Sequence, residues 1–188
     1  MTLHRFKMAL ASLVSISACL LLAAPAAMAE KGAYKLQGAW VGNLDGCPGQ
    51  VSYVLTPDAS GRRAFGHGSV DVGFATEAVF GPAFGPTDST SPVQLNVVMT
   101  GPDTAVFYAV WYGLRTLAAP SPITAEVVYI AVSTGEFKFV GPGKMMTTHN
   151  FAYYYPSQDA DGDGFPDEGE TTPYMFQKTS VDTRLPSP

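Results

Sequence analysis

The residues best placed to do chemistry stand together near the C-terminus, in Asp159-Ala160-Asp161-Gly162-Asp163-Gly164-Phe165-Pro166-Asp167-Glu168-Gly169-Glu170. Six of the chain's 16 acidic residues fall inside this stretch. Counted from Asp159, carboxylates occupy positions 1, 3, 5, 9 and 12 (Asp159, Asp161, Asp163, Asp167 and Glu170), and Gly164 takes position 6. A calcium ion accepts about six to eight oxygen ligands at a loose spacing, and a loop of this length wraps it when a glycine relieves the sharp turn at its centre. Phe165 at position 7 would contribute its backbone carbonyl, Glu170 both carboxylate oxygens, and Asp167 would bind directly or through a water. A solvated acidic loop accounts for the charge, but not for the placement of Gly164 and Glu170 against the alternating aspartates. Magnesium suits the loop less well, because its octahedron accepts fewer ligands than the loop offers. The cofactor expected from the spacing is therefore Ca2+.

The remaining polar residues suggest no catalytic set. His67 lies between Gly66 and Gly68, as in a loop or bulge, and His149 alternates with Phe151, Tyr153 and Tyr155 on an aromatic face. A lone histidine on such a face is more often a hydrogen-bonded core or rim residue than a catalyst. There is no Gly-x-Ser-x-Gly elbow and no His-Glu-x-x-His helix, and the phosphate-cradling glycine loop is missing too. An enzyme using His149 or His67 beside a tyrosine or acid stays as an alternative, and it requires a carboxylate within hydrogen-bond reach in a cleft.

The elements that must carry these residues are strands. The chain has 19 Gly and 15 Pro, together about 18 % of its residues against the roughly 12 % of average usage. They cut it into runs too short and too β-branched for a helical protein. Val51, Tyr53 and Leu55 share one face of a run, as do Val93, Leu95, Val97 and Met99 of another. Thr104 to Tyr112 and Ala125 to Val132 are apolar on both faces, as expected of a strand covered on both sides. Thr134-Gly135 suggests a hairpin turn into Glu136 to Val140. Thr147 to Tyr155 and Tyr174 to Lys178 complete the set, and Asp182 to Pro188 suggest a frayed tail. The expected fold is all-β: a single antiparallel barrel or a β-sandwich, with the acidic loop inserted between two C-terminal strands.

Two resemblances follow from these residues. The loop from Asp159 to Glu170 is similar to EF-hand calcium loops, and closer to the helix-poor loops of thrombospondin type 3 repeats and related bacterial secreted proteins. It departs from the EF-hand pattern at Pro166, which lacks the N–H a paired hand would use, and its flanks suggest strand and break, not helices. The resemblance implies a structural clamp between strands, not a sensor that opens a groove. Gly38-Ala39-Trp40 resembles the Gly-x-Trp start of lipocalin-like barrels, which implies, as a second reading, a carrier of a small apolar ligand.

Residues 1–29 have the pattern of an export signal: Arg5 and Lys7, an apolar run from Met8 to Leu22, and Ala27-Met28-Ala29 before a cleavage site at Glu30. If retained, the uncharged stretch could just span a bilayer. Ile16-Ser17-Ala18-Cys19 also resembles a bacterial lipobox, so attachment of lipid at Cys19 is the alternative to a free secreted or periplasmic domain spanning residues 30–188. Cleavage would leave Cys47 without an intramolecular partner, in a turn sequence. The net charge of −5 and the lack of a basic stripe argue against nucleic acid. Apart from calcium, the expected partner is a small apolar ligand or a surface assembly, and no catalytic residue is assigned.

Overall fold

The computed structural model describes residues 32–46, 49–70, 84–117 and 124–186. The export segment with Cys19, and the turn residue Cys47, lie outside them. Nine strands form one sheet: β1 (Gly38–Leu44), β2 (Gln50–Pro57), β3 (Arg63–Val70), β4 (Ser89–Thr90), β5 (Val93–Met99), β6 (Thr104–Leu117), β7 (Thr124–Gly141), β8 (Lys144–Tyr154) and β9 (Tyr174–Arg184). The two-residue β4 adds to the edge of β6. The other eight run antiparallel, each paired with its neighbour in the chain, and β9 pairs with β1 from Trp40↔Arg184 to Leu44↔Ser180. The sheet therefore closes on itself as a barrel. Closure leaves neither β1 nor β9 with a free edge, and the sandwich alternative falls away.

Alternation places the interior as the apolar pattern suggests. Val51, Tyr53 and Leu55 are buried, and so are Val93, Leu95, Val97 and Met99. One end is plugged by a short 3-10 turn, Ala33–Leu36, whose Ala33 and Leu36 are fully buried. Trp40 fixes that plug: its indole Nε1 donates to Leu36 O at 2.7 Å, and its ring meets Phe139 edge-on at 6.4 Å between centroids. The Arg184 guanidinium stacks on the other side of the assembly, 4.8 Å from the Trp40 ring centroid, and donates to Lys35 O. One arginine thus ties the last strand to the first strand and to the plug.

Two sequence expectations are corrected. Gly135 is not in a turn: β7 runs unbroken through it, and it faces Phe107 on β6 and His149 on β8. A Cβ there would stand 1.8 Å from Thr148 O and 2.9 Å from a Phe107 ring carbon, so the glycine is required by the close approach of strands. Asp182 to Arg184 are not a frayed tail but the end of β9 that closes the barrel. Hydrophobic alternation is inverted there, with Met175 and Val181 pointing outward and Ser180 and Asp182 inward and buried.

The double burial expected of Thr104 to Tyr112 and Ala125 to Val132 is found only in part: Val106 and Val127 are exposed, and the outer face is buried only farther along each strand. Val110, Ile130 and Val132 are buried yet stand apart from the interior cluster. They are brought together on the outer face by the pairs Val110↔Val132 and Tyr112↔Ile130. The β8–β9 connection, which contains residues 159–170, folds back onto the outer face of β6 at Tyr108 and Tyr112. Among the described residues no helix is long and apolar enough to cross a membrane.

The role of Gly135 is checked by substitution. Gly135→Ala should lower unfolding free energy by about 1–3 kcal/mol in urea titrations, as overpacking does. Gly141→Ala, where a Cβ would meet nothing within 4 Å, should be near neutral. Equal tolerance at both positions would refute the close-approach account.

Candidate functional site

The acidic loop is built by its own backbone. After β8, Pro156–Gln158 form a 3-10 turn. The Gln158 side chain then staples the loop's two ends. Its Oε1 accepts the Tyr155 N–H at 2.9 Å, and its Nε2 donates to Glu170 Oε2 at 2.7 Å and Thr171 O at 3.1 Å. Between the ends, each aspartate accepts a backbone N–H: Gly164 on Asp159 (3.0 Å), Asp163 on Asp161 (3.1 Å), Phe165 on Asp163 (2.8 Å) and Ala160 on Asp167 (3.1 Å). Short acidic side chains that bond to nearby N–H groups bend the chain in this way.

The winding draws three carboxylates together. Asp159, Asp161 and Asp167 each present an oxygen, all within 4.8 Å of one another. Asp163 and Glu170 are not in this group, and Glu170 Oε2 is engaged by Gln158. Asp159 Oδ1 is shielded from solvent and has no hydrogen-bond partner among the described residues. Neither the Lys35–Asp103 nor the Arg115–Glu126 ion pair touches the loop. Oxygens bound to one calcium at about 2.4 Å can lie at most about 4.8 Å apart, so the cluster has dimensions a divalent cation accepts.

The loop is docked, not free. Tyr112, pointing outward from β6, donates its hydroxyl to Gly164 O at 2.9 Å, and the Phe165 ring lies 6.1 Å from that of Tyr108. Gly164 serves twice: its φ of 89° is left-handed, and a Cβ there would come within 2.5 Å of the Tyr112 hydroxyl. The acids also act on these phenols. The Tyr112 pKa is raised, chiefly by burial and then by Asp159 and Asp163, and that of Tyr108 by burial, Tyr154, Tyr112 and Asp163.

Inside the barrel is a second polar group that the sequence reading missed. Asp182 is fully buried, and its Oδ2 accepts from the Tyr53 hydroxyl and, at 2.7 Å, from Thr147 Oγ1. Ser180 donates to Asp182 Oδ1 at 2.5 Å, and His149 Nε2 lies 3.1 Å from Ser180 Oγ. Because Ser180 has one proton and gives it to the carboxylate, His149 is the donor in the last bond. Burial and the Asp182 charge together raise the Tyr53 pKa well above its ordinary value. Gly42 makes room for the group, since a Cβ there would stand 2.0 Å from Asp182 Oδ1. The usable signals were Ser180 and Asp182, in step with Phe176 on one strand face, and a glycine in the facing strand.

This order of groups is not that of a nucleophile, base and orienting acid: the serine sits between the histidine and the carboxylate. His149 is stacked on Phe151, with rings 5.2 Å apart and 9° from parallel, and among the described residues its ring nitrogen bonds to Ser180 and not to a carboxylate. His67 is exposed on the outer face of β3, in a strand and not a loop or bulge. Its glycine neighbours are there because a Cβ at Gly68 would strike Ser52 O at 2.1 Å.

No protein-family profile matches the chain, and no curated protein matches it. A solved structure described as "Structure of EF1p2_mFAP2b bound to DFHBI" aligns with a TM-score of 0.46 and 15 % identity, over 83 % of this chain and 98 % of that one. The barrel itself rests on the strand pairing above.

The interior histidine predicts a pH dependence. Burial lowers the His149 pKa from 6.5 to about 4, against the opposing charge of Asp182. Between those values the unfolded chain binds a proton that the folded ring refuses. Stability should therefore be full above pH 6.5 and fall as pH drops toward 4, by up to roughly 3 kcal/mol. His149→Gln should flatten this part of a urea-denaturation pH series, and an unchanged slope would show that other groups produce it.

Proposed function

We propose that this chain is an exported β-barrel whose loop from Asp159 to Glu170 binds a calcium ion, which clamps the β8–β9 connection against the outside of the barrel. The role is structural or ligand-binding, not catalytic. The carrying observation is the group formed by Asp159, Asp161 and Asp167, three carboxylate oxygens within 4.8 Å of one another. Like charges at that separation repel one another, and the shielded Asp159 Oδ1 has exchanged water for no protein donor. A divalent cation removes both penalties. Asp163 and Glu170 would complete the shell from either side, Glu170 by exchanging the Gln158 amide for the metal, with the Phe165 carbonyl as the neutral ligand.

The cation would act through the docked surface. The loop packs on the outer face of β6 through Tyr112 and Tyr108, so ordering it fixes that contact as well as its own backbone. Extracellular modules of this kind bind calcium at about 10⁻⁴ to 10⁻³ M, a range matched to conditions outside a cell. Export is part of this reading and rests on residues 1–29. N-terminal sequencing of protein recovered from outside the cytoplasm should begin at Glu30; a lipid-modified Cys19 at the start would replace free secretion with anchoring.

A second reading, a lipocalin-like carrier of a small ligand, is favoured by one observation. The barrel interior keeps a cavity of about 40 Å3 beside Trp111, Ser133 and His149.

The calcium reading is tested by thermal unfolding. Adding 10 mM calcium should raise Tm by about 3–5 °C if Kd is near 10⁻³ M. Magnesium at the same concentration should do less, and Asp159→Asn with Asp161→Asn should abolish the shift. A wild-type Tm indifferent to calcium would end this reading.

A further inference from the structure

We propose that the barrel interior is a binding site for a short, neutral alcohol, with the alcohol's hydroxyl anchored on Ser133 Oγ and its apolar body against the surrounding aromatic rings. The proposal rests on the carrier reading and gives it a ligand class; it holds whether or not the acidic loop takes a cation.

The cavity has a clear origin in the sequence. Ala109 on β6 pairs with Ser133 on β7, and Ser133 pairs with Phe151 on β8. Where neighbouring strands contribute Phe107, Trp111, Phe137 and Phe151, two small residues side by side leave a hole that the rings cannot fill. Ser133 is 2 % exposed, and its hydroxyl has no hydrogen-bond partner among the described residues.

Two neighbouring polar groups do not share this condition. The Tyr53 hydroxyl is given to Asp182, and His149 Nε2 is given to Ser180. The Trp111 indole N–H, by contrast, also has no hydrogen-bond partner among the described residues. Ser133 and Trp111 are thus cavity-lining residues with an unpaired polar atom, and a buried hydroxyl left unpaired is costly.

Size and charge narrow the occupant. A water occupies roughly 10–15 Å3 on this measure, so a cavity of about 40 Å3 takes roughly three to four heavy atoms. A lone water would fill only about a third of that volume and leave the aromatic rings facing empty space. A short alcohol satisfies Ser133 with its hydroxyl and fills the rest with carbon. An anionic head group is disfavoured, because the buried Asp182 carboxylate is linked through Ser180 to His149, which lines the same cavity.

The test is titration of the purified protein with 1-propanol, followed by the NMR shift of the Trp111 indole N–H, with propionate and pressurised xenon as comparison probes. Saturable 1-propanol binding is expected, with no response to propionate. Ser133→Ala should weaken 1-propanol about five- to tenfold while leaving xenon binding unchanged, as loss of one hydrogen bond does. Ala109→Leu should abolish both, with the fold checked by circular dichroism. Xenon uptake with 1-propanol affinity indifferent to Ser133→Ala overturns the alcohol site alone. Failure of both probes to bind overturns the carrier reading with it.

Discussion

The constraint on which the rest depends is closure of the sheet by β9 against β1. An open sheet of these strands would leave two edges with unpaired backbone and expose both faces of its longest strands. Closing it demands that a C-terminal strand with polar alternate residues turn those residues inward. Arg184 makes this tolerable at one end by stacking on Trp40 and reaching the Lys35 carbonyl, so its charge stays near the rim while its stem covers the plug. Two residues earlier, Asp182 has no such exit, and Gly42 gives up its side chain to admit it.

The interior that results is divided. Toward the plugged end and along most of its wall it is aromatic and aliphatic, with Tyr53, Phe107 and Phe137 stacked in series. Beside them runs a chain of hydroxyls and an imidazole that ends on one carboxylate. Each member is held by the next, so no charged nitrogen is needed to keep Asp182 buried, and the cost of burial is spread over three hydroxyl donors. The same chain orients His149 as a neutral donor. The ring then belongs to the wall of the barrel, and its stacking on Phe151 follows from that.

The acidic loop uses the outside of the same wall. Strands β6 and β7 are long enough to project beyond a simple barrel contact, and their outer residues form an apolar seam. Tyr112 and Tyr108 hold the loop there by one hydrogen bond and one ring contact. Each aspartate is thereby presented by a backbone turn whose direction the docking decides. The loop is both docked on the outer wall and the place where negative charge collects, and these two roles meet at Gly164.

What the sequence by itself determined was whatever depends on neighbours within a few residues. The all-β class, the inward faces of Val51 to Leu55 and Val93 to Met99, and the turn-forming spacing of the acidic loop are local, and each was legible. Barrel against sandwich was not, because closure is a pairing between residues near position 40 and residues near position 182 that no local pattern encodes. Gly135 was misread for the same reason: beside Thr134 it has the look of a turn, and only the approach of Thr148 and Phe107 shows why a side chain is excluded. Asp182 was misread because a charged residue near a terminus is usually solvated, and its burial needs Tyr53, Thr147 and Ser180 from three different strands. Which carboxylates of the loop converge was likewise a tertiary matter. Spacing named five, and the docked backbone brings three of them together, with Glu170 held by Gln158 and Asp163 outside the group.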